Sequence, residues 1–133
     1  MNLIVCLDNK NGMAFNHRRQ SRDRVLIDDL LQTIDGAPLT LTPYSAKLFE
    51  ESNAALTLSE QPLQTGGAGY CFVEETDPAP YQDQIDELIL YRWNRYYPAD
   101  VWCTLDMREY QRNSTEEFVG SSHENITKEV WKR

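Results

Sequence analysis

The stretch "FNHRRQSRDR", residues 15–24, places four arginines, a histidine and an aspartate within ten positions of a chain whose net charge is −8. Guanidinium groups suit phosphate and carboxylate, because their planar fork donates two parallel hydrogen bonds. Arg18, Arg19, Arg22 and Arg24 around Asp23 therefore read as an anion clamp at the mouth of a pocket. A plainer reading stands beside it, a solvated basic loop paired with acidic tracts of this chain or of a partner. Asp and Glu gather in residues 74–87 and 116–124, so such partners exist within the sequence itself.

Other chemistry-bearing residues are sparse. His17 and His123 are the two histidines, and no HExxH, HxHxDH or CxxC pattern accompanies them, so no zinc site is expected. A Ser-His-Asp triad stays open, without a GxSxG nucleophile elbow behind it. Cys6, Cys71 and Cys103 are odd in number and sit among apolar residues. They read as reduced thiols in strands of a cytoplasmic protein rather than as disulfides or nucleophiles. Trp93, Trp102, Trp131, Tyr91, Tyr96 and Tyr97 make the second half aromatic-rich, which fits core or dimer-interface packing and, as an alternative, stacking on a flat heterocycle.

The elements that must position these groups follow from periodicity. "NLIVCL" and "DELILYRWNR" are continuous apolar runs, the mark of strands buried on both faces. Ser21 reads as the N-cap of a helix whose apolar face is Val25, Leu26, Leu30, Leu31 and Ile34, closed by "DG" at 35–36. "APLTLT", "AALTLS" and "YCFVEE" read as further strands. "PYSAKLFEES" reads as a short helix opened by proline. "EQPLQTGGAG" reads as a loop, "TDPAPYQDQ" as a turn with one helical turn, and "YPADVWCTLD" as a connection with a short strand. The segment from "REYQ" to the end reads as a hairpin turning around "GSSHEN". The order β-α-β-α-β, then mostly β, gives a single α/β domain over residues 1–133, with a mixed, mostly parallel central sheet, flanking helices and a C-terminal β-hairpin. With 41% hydrophobic and 26% charged residues and no apolar run near ~18 residues, the composition is globular, and no membrane partner is expected. Net acidity argues against nucleic acid.

In that order the motifs resemble the dihydrofolate reductase-like superfamily, with this chain as a shortened and divergent member. "LIVCL" followed by "NGMAFN" resembles the family's first strand and its glycine-methionine loop. "PLTLT" with its short helix resembles the second strand and the cofactor-binding helix, and "NAALTLSEQP" the third strand. "IDELILYRWNR" with "YYPADVW" resembles the late strand and its crossover, and "SSHENITKEVWKR" the last strand. The resemblance implies Asp23 as the general-acid carboxylate, Ile27 as an apolar pocket residue one turn later, and Tyr91 as a pocket-lining polar side chain. It places Asn16, Arg18, Arg19 and Arg22 at the lip of a ligand pocket.

The departures lie on the cofactor side. "TPYSAK" stands where the family has a glycine-arginine pair and a threonine, and "TDPAP" follows the strand that leads into the family's double glycine. Prolines remove N–H donors and acidic groups repel phosphate, so NADPH is not expected and no cofactor is predicted. The expected function is a protein binding a small anionic or heterocyclic ligand. The alternatives are a residual pteridine- or nucleotide-directed enzyme using Asp23 as acid, and an interaction module, in a homodimer among other arrangements, docking through its basic residues 17–24.

Overall fold

A computed structural model describes all residues 1–133. Strand β1 (Asn2–Leu7) lies at the middle of a seven-stranded sheet. It pairs in parallel with β6 (Tyr70–Phe72) on one side and β7 (Glu87–Arg92) on the other. Beyond β6 lie β4 (Leu39–Leu41) and, at the edge, β5 (Leu56–Leu58), both parallel. Beyond β7 lies β10 (Ile126–Lys132), antiparallel, with β9 (Gln111–Phe118) outermost. The sheet is thus mixed and mostly parallel and ends in a C-terminal hairpin.

The two-faced burial expected of β1 and β7 follows from strand alternation. Leu3, Val5, Leu7, Leu88 and Leu90 join one core, with Met1, Met13, Leu63, Ile85 and Tyr110. Ile4, Ile89 and Tyr91 join the other, against Leu26, Leu30 and Ile34 of helix α1 (Arg24–Ile34) and against Phe49. Each of those three helix residues contributes roughly 1.5–3 kcal/mol by leaving water. Helix α2 (Pro43–Ala46) continues into a 3-10 turn at Lys47–Phe49, and its N-cap is Thr42, whose Oγ1 accepts the Ser45 N–H at 3.2 Å.

Three local expectations change. Asp23, not Ser21, caps α1, accepting N–H bonds from Val25 and Leu26 at 3.0 and 3.2 Å. The segment read as a loop at 60–69 contains one helical turn, α3 (Pro62–Thr65), because Pro62 is preset for a first turn. The basic stretch is not a loop but half of a hairpin. Strands β2 (Gly12–Phe15) and β3 (Arg18–Arg19) pair antiparallel around Asn16 and His17, both at positive φ (52° and 60°), as a two-residue primed turn demands. Strand β8 (Val101–Trp102) completes this small sheet.

The small sheet is seated by Asp8, a buried carboxylate at the end of β1. It accepts the N–H groups of Lys10 and Gly12 at 2.8 and 2.7 Å and the Gln20 amide at 2.9 Å. Burial opposes its ionisation, but these bonds outweigh that and hold its pKa below the usual value. A Cβ at Gly12 would stand 2.6 Å from Asp8 Oδ2, 2.7 Å from Gln20 Nε2 and 2.8 Å from Ala99 Cβ. Gly12→Ala is therefore expected to cost about 1–3 kcal/mol, measured as a lower urea midpoint at unchanged m.

Candidate functional site: a cleft at the carboxyl ends of the parallel strands

Strand order reverses on either side of β1, and open sheets of this kind carry their ligand crevice at the carboxyl ends beside such a switch. A cleft lies there. Its floor is Cys6, Phe72, Val73 and Trp93, one wall is Arg19 to Asp23 with Leu26 and Ile27, and Leu48 and Glu74 face them. Its depth has room for little more than one water molecule, but at Arg22, Ile27 and Leu48 it adjoins a wider groove of about 320 Å³ lined also by Arg24, Lys47, Glu50 and Glu51.

Asp23 organises the first wall. Besides capping α1, its carboxylate accepts the N–H groups of Ser121 and Ser122 at 3.0 and 2.8 Å, the Ser122 hydroxyl at 3.2 Å and His123 Nδ1 at 3.1 Å. The loop between β9 and β10 is thereby fastened to the start of α1, and the Arg24 N–H donates to Ser121 Oγ at 2.9 Å. Burial alone would raise the Asp23 pKa, but the donors from Ser122, Ser121, His123 and Leu26 overcome it and hold the carboxyl well below the usual range. The proton-donor role expected for Asp23 does not suit this setting. An ionised carboxylate whose oxygens are all engaged has no proton to give at neutral pH.

His123 is buried, stacked on Trp93 with ring centroids 4.5 Å apart and an interplanar angle of 25°. Its Nε2 lies 2.9 Å from the Tyr97 hydroxyl and 3.2 Å from Ser21 Oγ. Ser21, expected as a helix cap, is instead a wall residue of the cleft facing this imidazole.

Glu74 organises the opposite side. Its side chain is 8% exposed and binds Arg19 in a fork, Nε at 2.8 Å and Nη2 at 3.0 Å, while accepting the Ser45 hydroxyl at 2.7 Å. The Arg19 guanidinium also lies over the Tyr44 ring, 4.3 Å from its centroid. This strap ties β3 to the exit of β6 and the first turn of α2. The adjoining groove on the α2 side is lined by Thr42, Tyr44, Glu60, Glu74 and Glu75 and contains no lysine or arginine.

Of the other residues expected at the site, Arg22 and Ile27 do line the cleft. Asn16 and Arg18 lie apart from it, on a shallow groove with Phe15, Tyr97 and Pro98. Arg19 lines the cleft, but Glu74 already takes its fork. Tyr91 does not reach the cleft at all. It is fully buried beneath α1, donating to Asp29 Oδ2 at 2.6 Å, and burial followed by that carboxylate drives its pKa far up. Asp29 also meets Lys128 Nζ at 3.0 Å. Sequence reasoning names His123 as one of two histidines, Trp93 and Tyr97 among the aromatics and Glu74 within an acidic tract, but assigns none of the four to this cleft. All three thiols are free, Cys71 buried and Cys6 and Cys103 partly so, with the Cys71 pKa pushed up to about 12 and that of Cys103 to about 11 by burial. No group of three His, Cys, Asp or Glu side chains is placed to hold a metal ion.

The parallel sheet with its antiparallel terminal hairpin, α1 across one face and the crevice beside β1 define a dihydrofolate reductase-like fold. Among solved structures the chain is similar to the dihydrofolate reductase of Enterococcus faecalis, solved in complex with NADP(H) and RAB-propyl, at a TM-score of 0.65 and 10% identity, over 99% of this chain and 95% of that one. No protein-family model matches the sequence, and no curated protein matches it.

The Asp23 geometry sets a pH dependence. A carboxyl whose folded pKa is depressed stabilises the fold above its unfolded value of ~3.9, and that stability is lost as pH falls toward the folded value. Asp23→Asn is expected to lower stability at pH 7 by about 2 kcal/mol and to flatten the decline below pH ~4. Thermal midpoints recorded from pH 7 down to pH 2 check this. Some decline should survive, because Asp8 and Glu129 are also held low by their donors.

Proposed function

We propose that this chain binds a small anionic molecule with a flat or apolar body in the cleft beside β1, and that it does so without a nicotinamide cofactor. The observation that carries the second half is Glu74. A phosphate at the start of α2 needs N–H donors and positive charge. Here Pro43 opens the helix without an N–H, and a buried carboxylate takes the Ser45 hydroxyl and the nearest guanidinium. Glu60 and Glu75 make the groove beside it more negative still. These residues do not fit a dinucleotide phosphate.

The first half rests on Arg22. It is exposed, has no ion-pair partner, and stands at the rim where the cleft meets the wider groove, beside the apolar side chains of Ile27 and Leu48. Carboxylate ligands with an aromatic body match that pairing. No helix is long and apolar enough to cross a membrane. A cytoplasmic location, supported by three free thiols, belongs to the same proposal.

Thermal-shift measurements test both halves. Millimolar NADPH is expected to leave the midpoint unchanged, whereas benzoate is expected to raise it in the parent protein and not in Arg22→Glu. An NADPH-induced shift, or NADPH oxidation in the presence of dihydrofolate, overturns the cofactor-free reading. A second reading is favoured by Arg18, Arg22 and Arg24 all being exposed and unpaired, namely docking of this basic face on an acidic surface of a second copy. Arg18→Glu combined with Arg24→Glu should then lower the mass measured by light scattering, while unchanged mass removes that reading.

A further inference from the structure

The contacts around His123 have the parts of a catalytic relay. Asp23 Oδ2 lies 3.1 Å from Nδ1, and Ser21 Oγ lies 3.2 Å from Nε2. The Asp23 carboxylate can only accept, so Nδ1 carries the ring proton and Nε2 keeps its lone pair. Stacking on Trp93 and near-complete burial, with 1% of the side chain exposed, fix the ring plane. Two hydroxyls stand within reach of that one lone pair, Tyr97 at 2.9 Å and Ser21 at 3.2 Å, and it accepts from one of them at a time. Tyr97 approaches from the shallow groove it shares with Asn16 and Arg18, and Ser21 approaches from the wall of the cleft. Ser21 is therefore the hydroxyl that a molecule in the cleft would meet.

We infer that Ser21, His123 and Asp23 act as nucleophile, general base and orienting carboxylate, and that the chain hydrolyses small carboxylic esters. The inference rests on the proposed cleft only for where the substrate sits. Only the reacting acyl end would enter the narrow cleft to reach Ser21, the rest of the ester lying in the wider groove past Ile27 and Leu48, and Arg22 at the rim favours an ester carrying a second, anionic group. Convergent triads place these three residue types in any chain order, so the sequence Ser21, Asp23, His123 is no obstacle.

The step balances without any further reagent. Ser21 Oγ bonds to the carbonyl carbon as its proton passes to His123 Nε2, and Asp23 stabilises the imidazolium through Nδ1–H. The carbon–oxygen bond to the alcohol then breaks, and His123 gives the proton to the departing oxygen. Water, losing a proton to Nε2, bonds to the acyl carbon. Ser21 leaves and recovers that proton. Ester and water become acid and alcohol. Ser21 and His123 touch reacting atoms, while Asp23 and Tyr97 act through the imidazole and are positioning residues.

The test uses the whole chain and a fluorophosphonate, which phosphorylates an activated serine, with intact-mass and peptide mass spectrometry as the readout. One adduct is expected, on Ser21, and none in Ser21→Ala at an unchanged thermal midpoint. Hydrolysis of p-nitrophenyl acetate should fall at least ~100-fold in that variant. Ser21→Cys supplies a readout that a merely structural network would not move. Its thiol should be alkylated by iodoacetamide with an apparent pKa at least one unit below the ~8.5 of a free thiol, and Asp23→Asn in that background should return it toward 8.5. Absence of a Ser21 adduct in the folded protein overturns the inference, as does a Ser21→Cys thiol that titrates like a free one. Benzoate binding is measured separately, so a protein that binds it through Arg22 yet gives no adduct loses the relay and keeps the cleft.

Discussion

The carboxylate of Asp23 is the point on which this structure turns. One buried group caps α1, fastens the β9–β10 loop and holds the imidazole of His123. It stays ionised because each donor favours the charged form, and the charged form in turn orders each donor. Packing around it leaves no slack. A Cβ at Gly120 would stand 2.9 Å from Asp23 Cγ and 2.8 Å from Ile126 Cδ1, so the loop closes this tightly only with glycine there. The start of the helix, the end of the sheet and the wall of the cleft are thus one cooperative unit.

Glu74 does on the other side what Asp23 does on the first. Both are carboxylates set at the carboxyl ends of the sheet, and each is satisfied by one cation-forming side chain together with hydroxyl or N–H donors. The difference lies in the partner. A guanidinium stays protonated at any working pH, so the Arg19–Glu74 pair is a fixed strap. An imidazole nitrogen can accept a proton that a guanidinium cannot, so the Asp23–His123 pair has a base in it and the strap does not. The strap closes the cleft on the α2 side. The other pair leaves one hydroxyl on the cleft wall.

What was legible in the sequence is what depends on local or periodic information. The apolar runs of β1 and β7, the alternation of their faces, the short helix behind Pro43 and the terminal hairpin all follow from patterns a few residues long. Order then sufficed for the fold. The site was less legible, because its contacts span the chain. Asp23 and His123 lie 100 residues apart and Arg19 and Glu74 lie 55 apart. Ser21 and Asp23 are both good caps two residues apart, and local preference does not separate them. The distant loop does, since only a carboxylate can accept two helix donors and four loop donors together. Tyr91 was misplaced by a similar gap. Alternation puts it on the helix face of β7, but only the fold shows that α1 covers it there and turns its hydroxyl to Asp29.

The basic stretch takes its meaning from this division. Its arginines are not one clamp. Arg19 is spent inside the molecule, Arg18 sits on a neighbouring groove, Arg24 faces solvent, and Arg22 alone stands free at the rim of the cleft. Between Arg19 and Arg22 lies Ser21, which the hairpin and the helix cap hold from either side. A proton source at the position of Asp23 would require a carboxyl kept neutral, hence apolar surroundings and few donors. The loop of Ser121, Ser122 and His123 supplies the opposite. It makes Asp23 a carboxylate that holds an imidazole, and it brings that imidazole within 3.2 Å of the Ser21 hydroxyl.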